Sequence, residues 1–192
     1  AQARTLEGVT AAVLLLAAIG FALQVTAVTP LSSSTSSQHV QNQLQATTEG
    51  VLTSTDDTGA LEEAVLYWNE SEDRFHDAGT AGFYRSGTPP NAFGDELERT
   101  LDARNVAYNV VIHYHTEDGD IGSQQLVSQG SPSDNAVSAS RTLVVVDDDR
   151  LVQRNGSPGT TVSNAEFYMP DANILSDGVY NVVRVEVVAW RV

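Results

Sequence analysis

No cysteine occurs among the 192 residues. That excludes disulfides, thiolate metal sites, a cysteine nucleophile and a lipidated N-terminal cysteine. Lysine is missing as well. All ten basic residues are arginine, against 25 Asp and Glu, for a formal charge of -15. Phosphate affinity needs clustered cations, so no nucleic-acid partner is expected. The serines include none in a Gly-x-Ser-x-Gly elbow, and the chain has neither a phosphate-cradling glycine loop nor a dinucleotide fingerprint. The expectation is a protein that is not an enzyme, with no catalytic residue and no cofactor. The length suits one ordinary domain plus one extra element.

The 41% of apolar residues is very unevenly spread. Gly8 to Val28 is a run of 21 residues without a formal charge. As a helix it would measure about 30 Å, close to one bilayer core. Arg4 precedes it and no charge follows until Glu49. The positive-inside bias therefore puts the N-terminus in the cytoplasm and the rest outside. Three readings compete for the run: a cleavable secretory signal, for which Val25-Thr26-Ala27 would serve as the cleavage site; a plain membrane anchor; and an apolar helix that leaves the membrane to become a filament core. The chain starts Ala1-Gln2-Ala3-Arg4, without an initiator Met, which reads as a processed N-terminus. Glu7 stands at the mouth of the run, where a carboxylate is expensive unless a cation meets it. An anchor has no use for it, whereas a packing subunit does.

These residues, namely Gln2, the entry Thr5-Leu6-Glu7-Gly8-Val9-Thr10 and the run Ala11 to Val28, resemble the type IV pilin superfamily, and specifically the archaeal pilin-like proteins of halophiles. The resemblance is strongest over about the first 55 residues. It implies a short basic leader removed by a membrane prepilin peptidase just before Ala1, insertion in the membrane before assembly, and a pilus assembly machinery as partner. It further implies self-association into a helical filament with heads outside. The assembly residues on this reading are Ala1, Glu7, Gly8, Val13, Leu16, Gly20 and Leu23. Many bacterial members carry the acidic residue at the fifth position, whereas here it is the seventh. Glu7 therefore pairs either with a neighbour's N-terminus or with Arg4 on its own helix face.

Pro30 cannot donate to Thr26 and should kink or interrupt the helix. Leu31 to Ser37 is poor in helix formers and reads as a hinge or a polar linker. Val40, Leu44, Thr48 and Val51/Leu52 then recur at helical spacing, predicting an amphipathic helix from about Gln38 to Thr53. Ser54 to Gly59 is a turn-rich break, which sets the expected boundary: residues 1–54 as filament core, transmembrane helix and stalk, residues 55–192 as an extracellular head. In the head, helices are expected at Ala60 to Trp68 and Ala92 to Arg104, with a long loop from Asn69 to Asn91 tacked down by Phe75, Phe83 and Tyr84. Strands are expected at Val106 to His115, Ile121 to Gln129, Arg141 to Val146, Leu151 to Arg154 and Val179 to Val192. The expected fold class is thus α+β: a long N-terminal apolar helix, kinked near Pro30, then a head of two short helices and an antiparallel sheet.

Site chemistry is sparse. His113 and His115 share a strand face without a third ligand at metal-site spacing. The Asp118-Gly119-Asp120 and Asp147-Asp148-Asp149 clusters lack the alternating ligands of a calcium loop and read as solvated acidic turns, so no metal is expected. Two Asn-x-Ser sequons, at Asn69 and Asn155, lie in head loops and are candidate N-glycosylation sites. Acids spread over the whole head, with arginine carrying every positive charge, fit a halophilic environment where salt screens repulsion. The function expected is a structural, adhesive subunit of an extracellular archaeal pilus-like filament on the cell surface. The alternative is a single-span, membrane-anchored ligand-binding domain that does not polymerise.

Overall fold

The computed structural model describes Leu15 and residues 38–85, 87–172 and 178–192. The chain divides into two compact units, Ala1–Asn42 and Gln43–Val192. The boundary expected at residue 54 falls inside the second unit, to which all the described residues except Leu15 and residues 38–42 belong.

Helix α1 covers residues 38–57. Leu44, Thr48, Val51, Leu52 and Thr55 are buried, at the three-to-four-residue spacing of one helix face, while Gln43, Ala46, Glu49, Gly50 and Thr53 are exposed. The two buried hydroxyls are satisfied within the helix: Thr48 Oγ1 donates to the Leu44 carbonyl at 2.9 Å and Thr55 Oγ1 to that of Val51 at 2.8 Å. The helix runs past the expected stop at Thr53. Thr58 also bonds back, to the Ser54 carbonyl at 3.0 Å, and the break comes at Gly59, whose φ of 77° suits glycine.

Helix α2 (Ala60–Val65) follows at once, burying Ala60, Leu61, Ala64 and Val65. It is shorter than expected because Trp68 turns away into β1 (Trp68–Asn69), which pairs with β2 (Arg74–Phe75). Helix α3 (Ala92–Thr100) is capped by Asn91, whose side chain accepts from the Gly94 N–H at 3.1 Å. Gly94 is required there, since a Cβ would lie 1.8 Å from the Pro89 carbonyl oxygen. The chain then leaves the α-helix for a 3-10 turn at Asp102–Arg104 that ends on Asn105 in the left-handed region.

Strands β3 (Val106–His115), β4 (Ile121–Ser128), β5 (Val137–Val146) and β8 (Val179–Arg191) form one antiparallel sheet in the order β4-β3-β8-β5. A separate hairpin joins β6 (Arg150–Val152) to β7 (Pro158–Thr161). Period-two alternation divides the sheet's residues. Tyr108, Val110 and Ile112 of β3 and Val183, Val185, Val187 and Ala189 of β8 are wholly buried and share one core with the α1, α2 and α3 apolar faces. The opposite face carries Ser140 and Thr142 of β5 and Arg184 of β8, all exposed. Strand β5 is tied to α1 by the Gln45 side chain, which donates to the Ser138 carbonyl at 2.8 Å, and by an Arg141–Asp56 ion pair at 3.1 Å. Tyr84 extends the other edge, exchanging backbone bonds with Leu126 and Ser128 of β4.

The expected fold class is corrected. Among the described residues no helix is long and apolar enough to cross a membrane. The described fold is instead a β-rich domain with a few short helices. The physical reason lies in α1, whose apolar side chains occupy a single stripe with polar residues between them. Most of the core comes from strands, whose alternation buries every second residue. The expected apolar helix of Gly8 to Val28, the kink at Pro30 and the hinge from Leu31 to Ser37 fall outside the described residues, apart from Leu15, which is helical and exposed.

Candidate functional site

The assembly residues Ala1, Glu7, Gly8, Val13, Leu16, Gly20 and Leu23 lie outside the described residues. What the head presents is a set of loops and one open sheet face.

The two sequons differ in setting. Asn69 sits in β1, half-buried and paired with Arg74, and its Oδ1 accepts from the Ser71 N–H at 3.1 Å. Asn155 is exposed in the β6–β7 turn. Its Oδ1 accepts from both the N–H and the hydroxyl of Ser157, at 3.0 and 2.7 Å. The hydroxyl of the triplet thus rests on the very amide that would be modified, at a turn where Gly156 takes a φ of 78°.

On the open sheet face, the register places His113 beside Arg184 and Val111 beside Glu186. His113 Nε2 lies 3.1 Å from Glu186 Oε2. A cavity of about 240 Å³ is lined by His113, His115, Ile121, Thr142, Val182 and Arg184. The two histidines therefore do share a surface, but their partners differ. The side chain of His113 meets a carboxylate, whereas the backbone of His115 is held by Asn181. Among the described residues no group of three His, Cys, Asp or Glu gathers around a common point. The Glu186 partner was missed in the sequence, although its place opposite β3 follows from the alternation of β8.

Behind the long loop, Phe75 and Tyr84 are buried, as their tacking role requires, and Phe83 is half-buried under Arg85, whose guanidinium lies 5.2 Å from the ring centre. His76 is also buried, packed edge-on to Tyr67 at 4.9 Å between centroids, and its Nε2 has no hydrogen-bond partner. Burial depresses its pKa, with Asp77 acting in the opposite sense. At the start of β8, burial pushes Tyr180 up to about 12 while its hydroxyl donates to the Met169 carbonyl at 2.9 Å. These groups hold loops against the sheet and do not converge on an open cavity.

A helix-backed antiparallel sheet with acidic loops is thus the class of domain that residues 43–192 form. Residues 1–189 match the model of a family of unknown function, DUF7288, and the chain belongs to that family. No curated protein matches it, and no solved structure does.

Proposed function

We propose that this chain is a structural subunit of an extracellular, archaeal type IV pilus-like filament, inserted in the membrane before assembly. In this reading the apolar segment Gly8–Val28 packs with its counterparts, and the acidic head faces outward and meets surfaces. The observation that carries the reading is the order of the sequence: the Thr5-Leu6-Glu7-Gly8-Val9-Thr10 entry, then 21 uncharged residues, then a separate head. Small residues at Gly8, Ala12, Ala18, Gly20, Ala22 and Ala27 allow close approach between such segments. The self partner, the prepilin peptidase and the assembly machinery belong to this same proposal, and so does the halophilic setting that the lysine-free acidity supports.

The test is electron microscopy of material sheared from cells that make the full chain, combined with mass spectrometry of its N-terminus. The expected result is filaments whose subunits begin at Ala1. Gly20→Trp is expected to abolish filaments while leaving the protein in the membrane fraction. Glu7→Ala is expected to leave leader removal intact and to lower filament yield. Membrane-bound protein that never forms filaments favours the anchored, non-polymerising alternative.

A further inference from the structure

The two ends of the sheet differ in what lines them: one has a cavity walled by arginines, the other an acidic turn. At one end stand the start of β3 and the finish of β8, paired through Val106 and Arg191. Here a cavity of about 390 Å³ is walled by Arg104 and Arg191, with Gln43, Thr47 and Thr100 beside them and no carboxylate in its lining. Both guanidiniums are on exposed residues, and neither has an ion-pair partner among the described residues. The feature of this end is that two of the chain's ten arginines share one cavity whose lining holds no carboxylate. Asp102 is close in sequence, but its carboxylate is engaged by the Tyr108 hydroxyl at 3.1 Å. The topology also returns Asp134, in the β4–β5 connection, to this end.

At the other end β3 turns into β4 through Glu117, Asp118 and Asp120, all exposed. Strand β5 finishes there too, because Val146 pairs with Val179 at the start of β8, and it is followed by the exposed Asp148. Strand β3 has ten residues, so the two ends are about 30 Å apart. The arginine cavity of a head cannot reach its own acidic turn. A second copy can bring one.

We infer that heads associate end to end, with the acidic β3–β4 turn of one copy docked in the Arg104/Arg191 cavity of the next. The contact joins two different surfaces, so it is heterologous and open-ended, as a helical assembly requires. It also offsets repulsion between heads of such negative charge, since it places carboxylates on guanidiniums at each end-to-end junction. The inference rests on the filament reading and names the head contact within it.

The lack of cysteine gives a clean test in the full chain. Thr47→Cys stands in the cavity wall and Asp118→Cys in the acidic turn, and both arginines, Glu117 and Asp120 remain. Within one copy the two positions are too far apart for a disulfide, which needs Cα atoms within about 7 Å. Cells carrying the double variant are treated with a mild oxidant, and sheared and membrane material is run on denaturing gels. The expected result is a ladder of dimer, trimer and higher multimers, given only by the double variant. Adding Arg104→Glu and Arg191→Glu should cut the ladder at least tenfold, and adding Glu117→Arg and Asp120→Arg to that chain should restore it. Dimers alone, a crosslink to a protein of different mass, or a ladder unmoved by charge reversal would overturn the inference. Filaments by microscopy without a ladder overturn the contact and leave the filament reading standing. A ladder without filaments does the opposite, and neither result sinks both.

Discussion

The Asn181 side chain closes the end of β3 as if it were a neighbouring strand. Its Oδ1 accepts from the His115 N–H at 3.1 Å and its Nδ2 donates to the His115 carbonyl at 2.9 Å. The backbone pairing of β3 with β8 stops at His113 and Arg184, so His115 would otherwise lack a partner on that side. The same Nδ2 also donates to the Pro170 carbonyl at 2.9 Å, fastening the loop before β8. One buried amide, about 1% exposed, thus serves three backbone groups. Asn181→Leu leaves all three without their bonds and should lower unfolding free energy by about 2–4 kcal/mol. Asn181→Asp keeps the acceptor but buries a carboxylate against the His115 and Pro170 carbonyl oxygens, so at neutral pH it should be at least as destabilising as the leucine variant. Urea melts of the three proteins check the order, and a leucine variant as stable as the parent would refute the role.

A second expectation concerns where the head begins. Leu44, Thr48, Val51 and Leu52 are buried in the same core as the sheet. A fragment of residues 43–192 should therefore unfold in one cooperative transition. A fragment of residues 59–192 exposes the apolar surface that α1 covers, where each buried Leu or Val side chain is worth about 1.5–3 kcal/mol. It should be unfolded or far less stable. Circular dichroism melts of both fragments decide the matter.

His76 sets up a pH response. Burial lowers its pKa, so the folded head keeps the ring neutral while the unfolded chain takes up a proton near the ordinary value of about 6.5. Below that pH the unfolded state holds more protons, so stability falls as pH drops through 6.5 toward the depressed folded value, and is complete above it. His76→Phe keeps the edge-on contact with Tyr67 and removes the titration. The stability difference between parent and variant should shift in favour of the variant as pH is lowered from 8 to 5. The carboxylates are common to both proteins and cancel in that difference. Urea midpoints measured at each pH provide the check, and parallel profiles would exclude His76.

The sequons offer a chemical check on the outside location. Asn155 is exposed at a turn with its Ser157 hydroxyl already on the amide, whereas Asn69 is half-buried in a paired strand. Peptide mass spectrometry of native material should find a glycan on Asn155 at higher occupancy than on Asn69. Asn155→Gln should remove most of the added mass. Higher occupancy at Asn69 would mean that backbone pairing does not govern access.

How far the head could be read in advance depended on where its signal was stored. Val106 to Ile112 alternates between buried and half-buried residues, and β3 occupies the whole expected span to His115. The end of α1 lies beyond Thr53 because Ser and Thr weigh against a helix in sequence, whereas here Thr55 is buried with its hydroxyl satisfied on the Val51 carbonyl. Strands β1, β2 and β7 are too short to show a period, whereas β6 overlaps the strand expected at Leu151 to Arg154. The arginine cavity was invisible for another reason. Arg104 and Arg191 are far apart in sequence and meet only through the register of β3 with β8, which no local pattern announces. Likewise Asn181 looks like any polar strand residue until the ladder is seen to end beside it.

The final expectation concerns salt. Glu62 stands in the first turn of α2, where a helix N-terminus favours a carboxylate. Its pKa is nonetheless raised, first by partial burial and then by the charges of Asp149 and Asp56. A raised carboxyl pKa means that the ionised form is disfavoured in the fold. Its contribution is therefore destabilising at neutral pH and relieved as pH falls through the folded value. Asp56 is partly neutralised by Arg141 at 3.1 Å, so the repulsion comes from a cluster with one cation for three acids. Screening acts directly on such a cluster, since the Debye length shortens from about 10 Å at 0.1 M salt to about 3 Å at 1 M. The fragment of residues 43–192 should melt at markedly higher temperature in molar sodium chloride than in dilute buffer. Glu62→Gln should raise the melting temperature in dilute buffer and have a smaller effect in molar salt. Sodium sulfate at equal ionic strength separates the two contributions of salt, because sulfate also strengthens apolar burial whereas screening is set by ionic strength. Equal stabilisation by the two salts assigns the effect to screening of the acidic surface. A melting temperature that does not move across the series would remove the physical support for a salt-adapted head.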